Sequence, residues 1–287
     1  MKKISLCLFW GIFLAFLNAC EKVVDIDIAD GEPLPYIDAW ITDKPGIQRI
    51  KFLKAVSYLG QQEPAPIADA QISLTDLTLN QTYSFVYADG AYSYDAGAEN
   101  IGKPGHQYKL HIAYNGEQFD ALDSLTRPTV IDSINYAFRP QKGAEKEGYY
   151  AEFFATDPAG ATDYAWIRTY LNGSRNPYIP EMASIDGGFN EGMSDGFMFI
   201  APFREAITWY DRPYRLGDEV KVLIRSLSKN TYGFLDQAIN QLYSGGLFAK
   251  ILNNAPSNVF PADPTSRTKI YGWFGMTAES ELSVTIQ

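Results

Sequence analysis

The chain has 287 residues, with 24 Lys and Arg against 34 Asp and Glu, 2 His, 2 Cys and 41 aromatic side chains. A net charge of −10 and a pI near 4.7 exclude nucleic acid as the main partner, because a phosphate backbone is held by clustered Lys and Arg. At 46% apolar and 20% charged the chain is globular, and so few His and Cys leave few ligands for zinc, haem or iron–sulfur sites, so neither metal nor cofactor is expected.

Residues 1–19 read as a lipoprotein signal peptide. Met1-Lys2-Lys3 is the positive start, Ile4 to Phe16 an apolar run too short to span a bilayer, and Leu17-Asn18-Ala19-Cys20 the cleavage site. A cysteine directly after Leu-x-Ala looks like a bacterial lipobox, which makes Cys20 the lipid attachment site and the mature N-terminus. Cys7 leaves with the signal, so the mature chain keeps no thiol for a disulfide or a nucleophile. Loss of Lys2 and Lys3 leaves 22 basic and 34 acidic side chains, a net charge of −12. Several acyl chains on Cys20 give stable membrane attachment where one would be marginal.

Residues 20–34 form an acidic tether. Its Asp25-Ile26-Asp27-Ile28-Ala29-Asp30-Gly31 starts like an EF-hand loop, but the third acid and the glycine fall one position late and no glutamate follows, so a solvated tether is the reading. Residues 35–127 then carry strand signals at Tyr36–Thr42, Ile47–Tyr58, Gln71–Leu74, Thr82–Tyr87, Tyr108–Tyr114 and Gln118–Leu122. Asn115-Gly116 is the strongest hairpin signal, since a type I′ turn needs positive φ at both positions. Six or seven short strands in this span predict an immunoglobulin-like β-sandwich.

Thr126-Arg127-Pro128 marks the expected boundary. Residues 128–287 predict a second β-rich sandwich or barrel-like domain, with strands at Ser133–Phe138, Tyr150–Thr156, Tyr164–Leu171, Phe197–Ile200, Glu219–Leu227, Ile270–Met276 and Leu282–Ile286. The 3-4-3 spacing of Tyr232, Leu235, Ile239 and Leu242 predicts one short helix near 231–243, ended by Gly245-Gly246. Irregular stretches at 139–149, 172–196 and 250–268 are long enough to be functional loops. The fold class is therefore mainly β.

No catalytic set emerges. Gly192-Met193-Ser194-Asp195-Gly196 fits G-x-S-x-G, but it lacks the strand-to-helix elbow, and His106 and His111 both precede Ser194 where that fold places histidine after it. His111 alternates outward along a strand, and His106 sits in a turn. Trp166 and Trp273 lie among alternating apolar residues and read as core. Trp209, Tyr210, Arg212 and Tyr214, in a stretch rich in Pro, Arg and Asp between Arg204 and Arg215, read as a candidate ligand platform for a sugar or peptide. Tyr271, Trp273 and Phe274 are a second aromatic cluster.

Several landmarks occur in order: Cys20-Glu21-Lys22 with Asp25-Ile26-Asp27, Ala39-Trp40-Ile41-Thr42-Asp43, Pro66-Ile67-Ala68-Asp69-Ala70, Lys103-Pro104-Gly105, Asp132-Ser133-Ile134, Leu216-Gly217-Asp218, Ala255-Pro256-Ser257-Asn258-Val259 and Tyr271-Gly272-Trp273-Phe274-Gly275. Together they resemble domain-of-unknown-function family 4249, an outer-membrane lipoprotein family of Bacteroidota. The resemblance implies a gene beside a TonB-dependent transporter and an immunoglobulin-like or carboxypeptidase-regulatory-like N-terminal domain, and it carries no catalytic residue. The acids after Cys20 are similar to that phylum's surface-export signal, and Asp123-Ser124-Leu125 and Asp132-Ser133-Ile134 resemble its O-glycosylation sequence. The expectation is a non-catalytic, lipid-anchored outer-membrane protein facing the cell exterior. It would capture a small nutrient ligand for, or gate, a TonB-dependent transporter. The alternatives are a surface hydrolase of glycan or peptide, whose paired carboxylates need leave no spacing signature, and a structural or adhesive envelope lipoprotein.

Overall fold

The chain threads two β-rich bodies and stitches them together with one strand run, as seen in a computed structural model that describes residues 33–56, 62–243 and 256–287. The signal segment, Cys20 and the acids at 25–30 lie outside the described residues, as do Gly245-Gly246. The described chain is mainly β, as the alternation of apolar residues predicts.

The first body uses β1 (Pro35–Thr42), β2 (Ile47–Lys54), β3 (Ala65–Pro66), β4 (Gln71–Asp76), β5 (Gln81–Ala88), β6 (Ala91–Asp95), β7 (Gln107–Tyr114) and β8 (Glu117–Ser124). Period-two burial places Ile50 and Phe52 of β2 and Tyr108, Leu110 and Ile112 of β7 in one core, with His111 on the outer face. The Asn115-Gly116 turn has both φ angles positive and joins β7 to β8 in two residues, as expected. Asp89-Gly90 does the same between β5 and β6, a strand too short to show an alternating pattern.

The immunoglobulin-like sandwich expected for residues 35–127 is drawn into one ten-stranded, nearly closed barrel-like sheet. The reason lies in β5, whose first half pairs with β4 and whose end pairs with β6, so the ladder runs on where two stacked sheets would break. The remaining strands come from the far end of the chain: β15 (Val259–Pro261) pairs with β8, and β16 (Tyr271–Thr277) runs parallel to β1. Side chains close the seam between those ends. Asn258 accepts the Phe274 amide at 2.9 Å and donates to the Phe274 carbonyl at 2.7 Å, while Asp123 Oδ2 accepts the Met276 amide at 2.8 Å.

The chain leaves the barrel at residues 126–128 and builds the second body. The hairpin of β9 (Ile131–Arg139) and β10 (Gly148–Ala155) faces a sheet of β11 (Tyr164–Leu171), β12 (Ser174–Arg175), β13 (Met182–Ile185), β14 (Glu219–Leu227) and β17 (Glu279–Thr285). Ala165, Ile167, Val220, Val222 and Ile224 point into the core between them. The opposite face of β11 and β14 is covered too, by helix α2 (Lys229–Tyr243) and by Trp40 of the barrel, whose ring centre lies 4.9 Å from that of Trp166. Trp166 and Trp273 are buried, and Trp273 stacks on Phe234 of α2 at 4.4 Å.

Two expected elements differ. Phe197–Ile200 makes only a single bridge, Met198 to Thr156, because Pro202 sets the first turn of a short helix, α1 (Ala201–Arg204). Helix α2 buries Leu235 and packs Tyr232 and Ile239, but Leu242 is 77% exposed past the packed stretch.

Strand β17 follows β16 after only Ala278, so one run serves both bodies, and Ser226 exchanges hydrogen bonds with Ala278 at 2.9 and 3.0 Å at the joint. Beside it, Thr231 is a buried hub. Its hydroxyl donates to Asp123 Oδ2 at 2.9 Å and accepts from Trp273 Nε1 at 3.0 Å and from Ser228 Oγ, the helix cap, at 3.1 Å. Thr231→Val keeps the shape and leaves Trp273 and Asp123 each short of a partner. The expected cost is about 2 kcal/mol in chemical denaturation, with the slope unchanged.

Candidate functional site

The second body carries an open cleft of about 660 Å³. Its near wall is the strap that follows a 3-10 turn at Glu205–Ile207. Thr208 clamps the strap to β10 by accepting the Ala151 amide at 2.9 Å and donating to the Ala151 carbonyl at 3.1 Å. Arg212 N donates to the Trp209 carbonyl at 3.0 Å, which lifts Tyr210 and Asp211 to the tip of a tight turn. The tip is tied down in turn, because the Tyr210 carbonyl accepts Lys146 N at 3.0 Å and the Tyr150 hydroxyl at 2.7 Å. Tyr149 and Tyr214 exchange backbone hydrogen bonds at 2.9 and 3.0 Å.

Gly148 is required for this approach. At φ +151° a Cβ there would lie 2.6 Å from Pro213 Cγ, so any side chain would push the strap away from β10.

The sequence-predicted residues divide. Trp209 is 40% exposed and lines the cleft with the exposed Arg212. Tyr210, 47% exposed, is set beside Trp209 with ring centres 5.3 Å apart, outside the lining. Tyr214 is only 3% exposed and serves as the floor: its hydroxyl donates to the Ile207 carbonyl and faces Asn176 Nδ2 at 3.4 Å, and burial pushes the phenol well above its usual range. The expected platform thus becomes three lining residues, of which Tyr214 is buried as the floor, with Tyr210 on the flank.

The far wall was not visible in the sequence. After β12, the buried Asn176 turns the chain by accepting the Tyr178 amide at 3.1 Å, and Tyr178 then presents its ring to the cleft. The Arg212 guanidinium sits 4.1 Å over that ring and so spans the two walls. Phe138, at the exposed end of β9, packs edge-on to Tyr149 at 5.5 Å and completes the aromatic rim. Asn172-Gly173, a second Asn-Gly turn that joins β11 to β12, is the signal that would have ordered this part of the 172–196 stretch.

The charges along the cleft balance: Lys146, Arg212 and Arg215 against Glu147, Asp211 and Asp218. Both Asp218 oxygens are committed, one to Arg215 N at 2.8 Å and one to Asn172 Nδ2 at 3.1 Å. Asp211 Oδ1, by contrast, is buried without a hydrogen-bond partner, with Arg212 Nε 4.0 Å away.

Other candidates fall elsewhere. Ser194 is buried in its loop, whereas His106 and His111 sit in the barrel, 2.8 Å from Asp76 Oδ2 and 2.7 Å from Asp120 Oδ1. Among the described residues no group of three or more His, Cys, Asp or Glu is arranged to hold a metal. Arg204 pairs with Glu152 at 2.7 Å, away from the cleft, and of the second aromatic cluster only Tyr271 is exposed. In Asp123-Ser124-Leu125 both flanking residues are buried. No helix among the described residues is long and apolar enough to cross a membrane.

A family model described as a domain of unknown function (DUF4249) matches residues 21–283. No curated protein matches the chain.

Proposed function

The chain belongs to the DUF4249 family, and on that footing we propose that it is a non-catalytic lipoprotein, held to the outer membrane through Cys20 and facing the cell exterior, that captures a small nutrient ligand for a TonB-dependent transporter. The observation that carries the reading is the open cleft of about 660 Å³, rimmed by the exposed rings of Trp209, Tyr178 and Phe138. A ready-made concave site with flat apolar faces suits reversible capture. The lipobox supports the anchor, since an acylated Cys20 followed by an acidic tether leaves the folded part in water beside the membrane.

The rival hydrolase needs a carboxyl that keeps its proton near neutral pH beside the substrate. Of the three acids that line this cleft, Asp218 already accepts from Arg215 N at 2.8 Å and from Asn172 Nδ2 at 3.1 Å, and so is engaged in holding the wall. That favours capture over hydrolysis. A purely adhesive role leaves the cleft without a purpose.

The test is deletion of the gene in its native host and growth on single nutrient sources. The expected result is a defect on at least one of them, restored by the wild-type gene and by neither Cys20→Ser nor Trp209→Ala. Normal growth of the deletion strain on every source would overturn the proposal.

A further inference from the structure

We infer that the ligand of this cleft is a short neutral oligosaccharide; the inference rests on the capture reading and gives it a ligand class. Three features converge. Trp209 and Tyr178 offer flat, half-exposed rings on the two walls, which suits the C–H faces of sugar rings. The Arg212 guanidinium, 4.1 Å over Tyr178, fixes that ring in place.

The charges decide against charged ligands. Three cationic and three acidic side chains line the cleft, so an anion meets Asp211 and Glu147 and a cation meets Lys146, Arg212 and Arg215. An entirely apolar ligand fails for a different reason. It would strip water from the charged side chains that line the cleft, the partly exposed Asp211 and Arg212 among them, and offer nothing in return. A hydroxyl answers both demands, because it donates to a carboxylate while accepting from a guanidinium or ammonium beside it. Repeated hydroxyls around a ring with apolar faces are the chemistry of a sugar. The volume of about 660 Å³ falls within the range of small-ligand sites and holds more than one ring.

The test uses the full lipidated chain in a zwitterionic detergent, because glycoside detergents would compete. Saturation-transfer NMR is run with neutral trisaccharides of α- and β-linked glucose, xylose, mannose and N-acetylglucosamine, and separately with Gly-Tyr-Gly and with laurate. At least one trisaccharide is expected to bind. Trp209→Ala and Asp211→Ala should each weaken it about tenfold or more, with Trp209→Phe recovering part of the loss and all variants melting like the wild type. Binding of the peptide or laurate with no trisaccharide binding would overturn the ligand class and leave capture standing. Failure of every probe would overturn both. Trisaccharide binding that survives both alanine variants would overturn the site.

Discussion

Gly272→Ala should destabilise the protein by about 4 kcal/mol or more and lower its melting temperature by roughly 10 °C. Gly272 sits opposite Ile37 where β16 runs parallel to β1, at φ +98°, and a Cβ there would lie 1.9 Å from the Ile37 carbonyl oxygen. That atom is backbone within the barrel ladder and cannot step aside like the end of a side chain. The substitution therefore combines a conformation that disfavours side chains with loss of the closing strand. The damage spreads, because β16 also places Trp273 on Thr231 and leads into β17 of the second body. Gly46→Ala is the control. Gly46 has a similar φ of +90° with open space around it, so it should cost only the conformational penalty of about 1–2 kcal/mol. Equal effects of the two would show that conformation alone, and not the contact with Ile37, sets the cost.

The second large effect lies where the chain passes between its bodies. Arg127 reaches into the second body and donates to both oxygens of Asp163, at 3.0 and 2.8 Å from Nε and 2.6 Å from Nη2, and to the carbonyls of Pro158, Ala159 and Ala161. Asp163 is buried, and beside it lie Asp157 and Asp186, also buried. Arg127→Met removes the cation facing Asp163 and leaves the charge unpaired. A cost of about 3 kcal/mol is expected, the low end for breaking a buried pair because the guanidinium is partly in solvent.

Asp157 gives this cluster a pH signature. The residue is 2% exposed, and burial first, then the charges of Asp163 and Asp186, push its carboxyl up to about 7. In the unfolded chain the same group loses its proton near 4, so between those values the native state binds more protons and stability falls as pH rises. The loss should reach about 2 kcal/mol by pH 8, roughly half the full linkage value because the site relaxes around the charge. Asp157→Asn should flatten melting temperature against pH between 5 and 8, and should recover part of the loss caused by Arg127→Met. An Asp157→Asn protein whose melting curve still falls over that range would place the titrating group elsewhere.

Arg127 shows what the sequence could and could not disclose. Thr126-Arg127-Pro128 is legible as a break, because proline ends the strand before it. The role of the arginine is not legible, since its partners lie 31–36 residues further on. The same division runs through the fold. Strands with clean alternation, such as β2 and β7, are legible from their period-two pattern, whereas β12 and β13 are short and β15 has three residues. The parallel pairing of β1 with β16 joins residues more than 230 positions apart and leaves no local mark. In the cleft, Trp209 and Arg212 stand out as an aromatic and a cation in an Arg-rich stretch. Tyr214 carries the same signal yet is buried, because its register opposite Tyr149 turns it inward. Tyr178 and Phe138 reach the cleft from other elements and have nothing in their spacing to connect them to Trp209.

Capture on behalf of a transporter requires the two proteins to meet, and the most direct measurement is to purify the affinity-tagged, full-length protein from native membranes in a mild detergent and identify what elutes with it. A large outer-membrane barrel of the TonB-dependent class should co-elute in a fixed ratio, and should be lost with Cys20→Ser, which removes the proposed site of acylation. Recovery of the protein alone under the same conditions would contradict capture on behalf of a transporter.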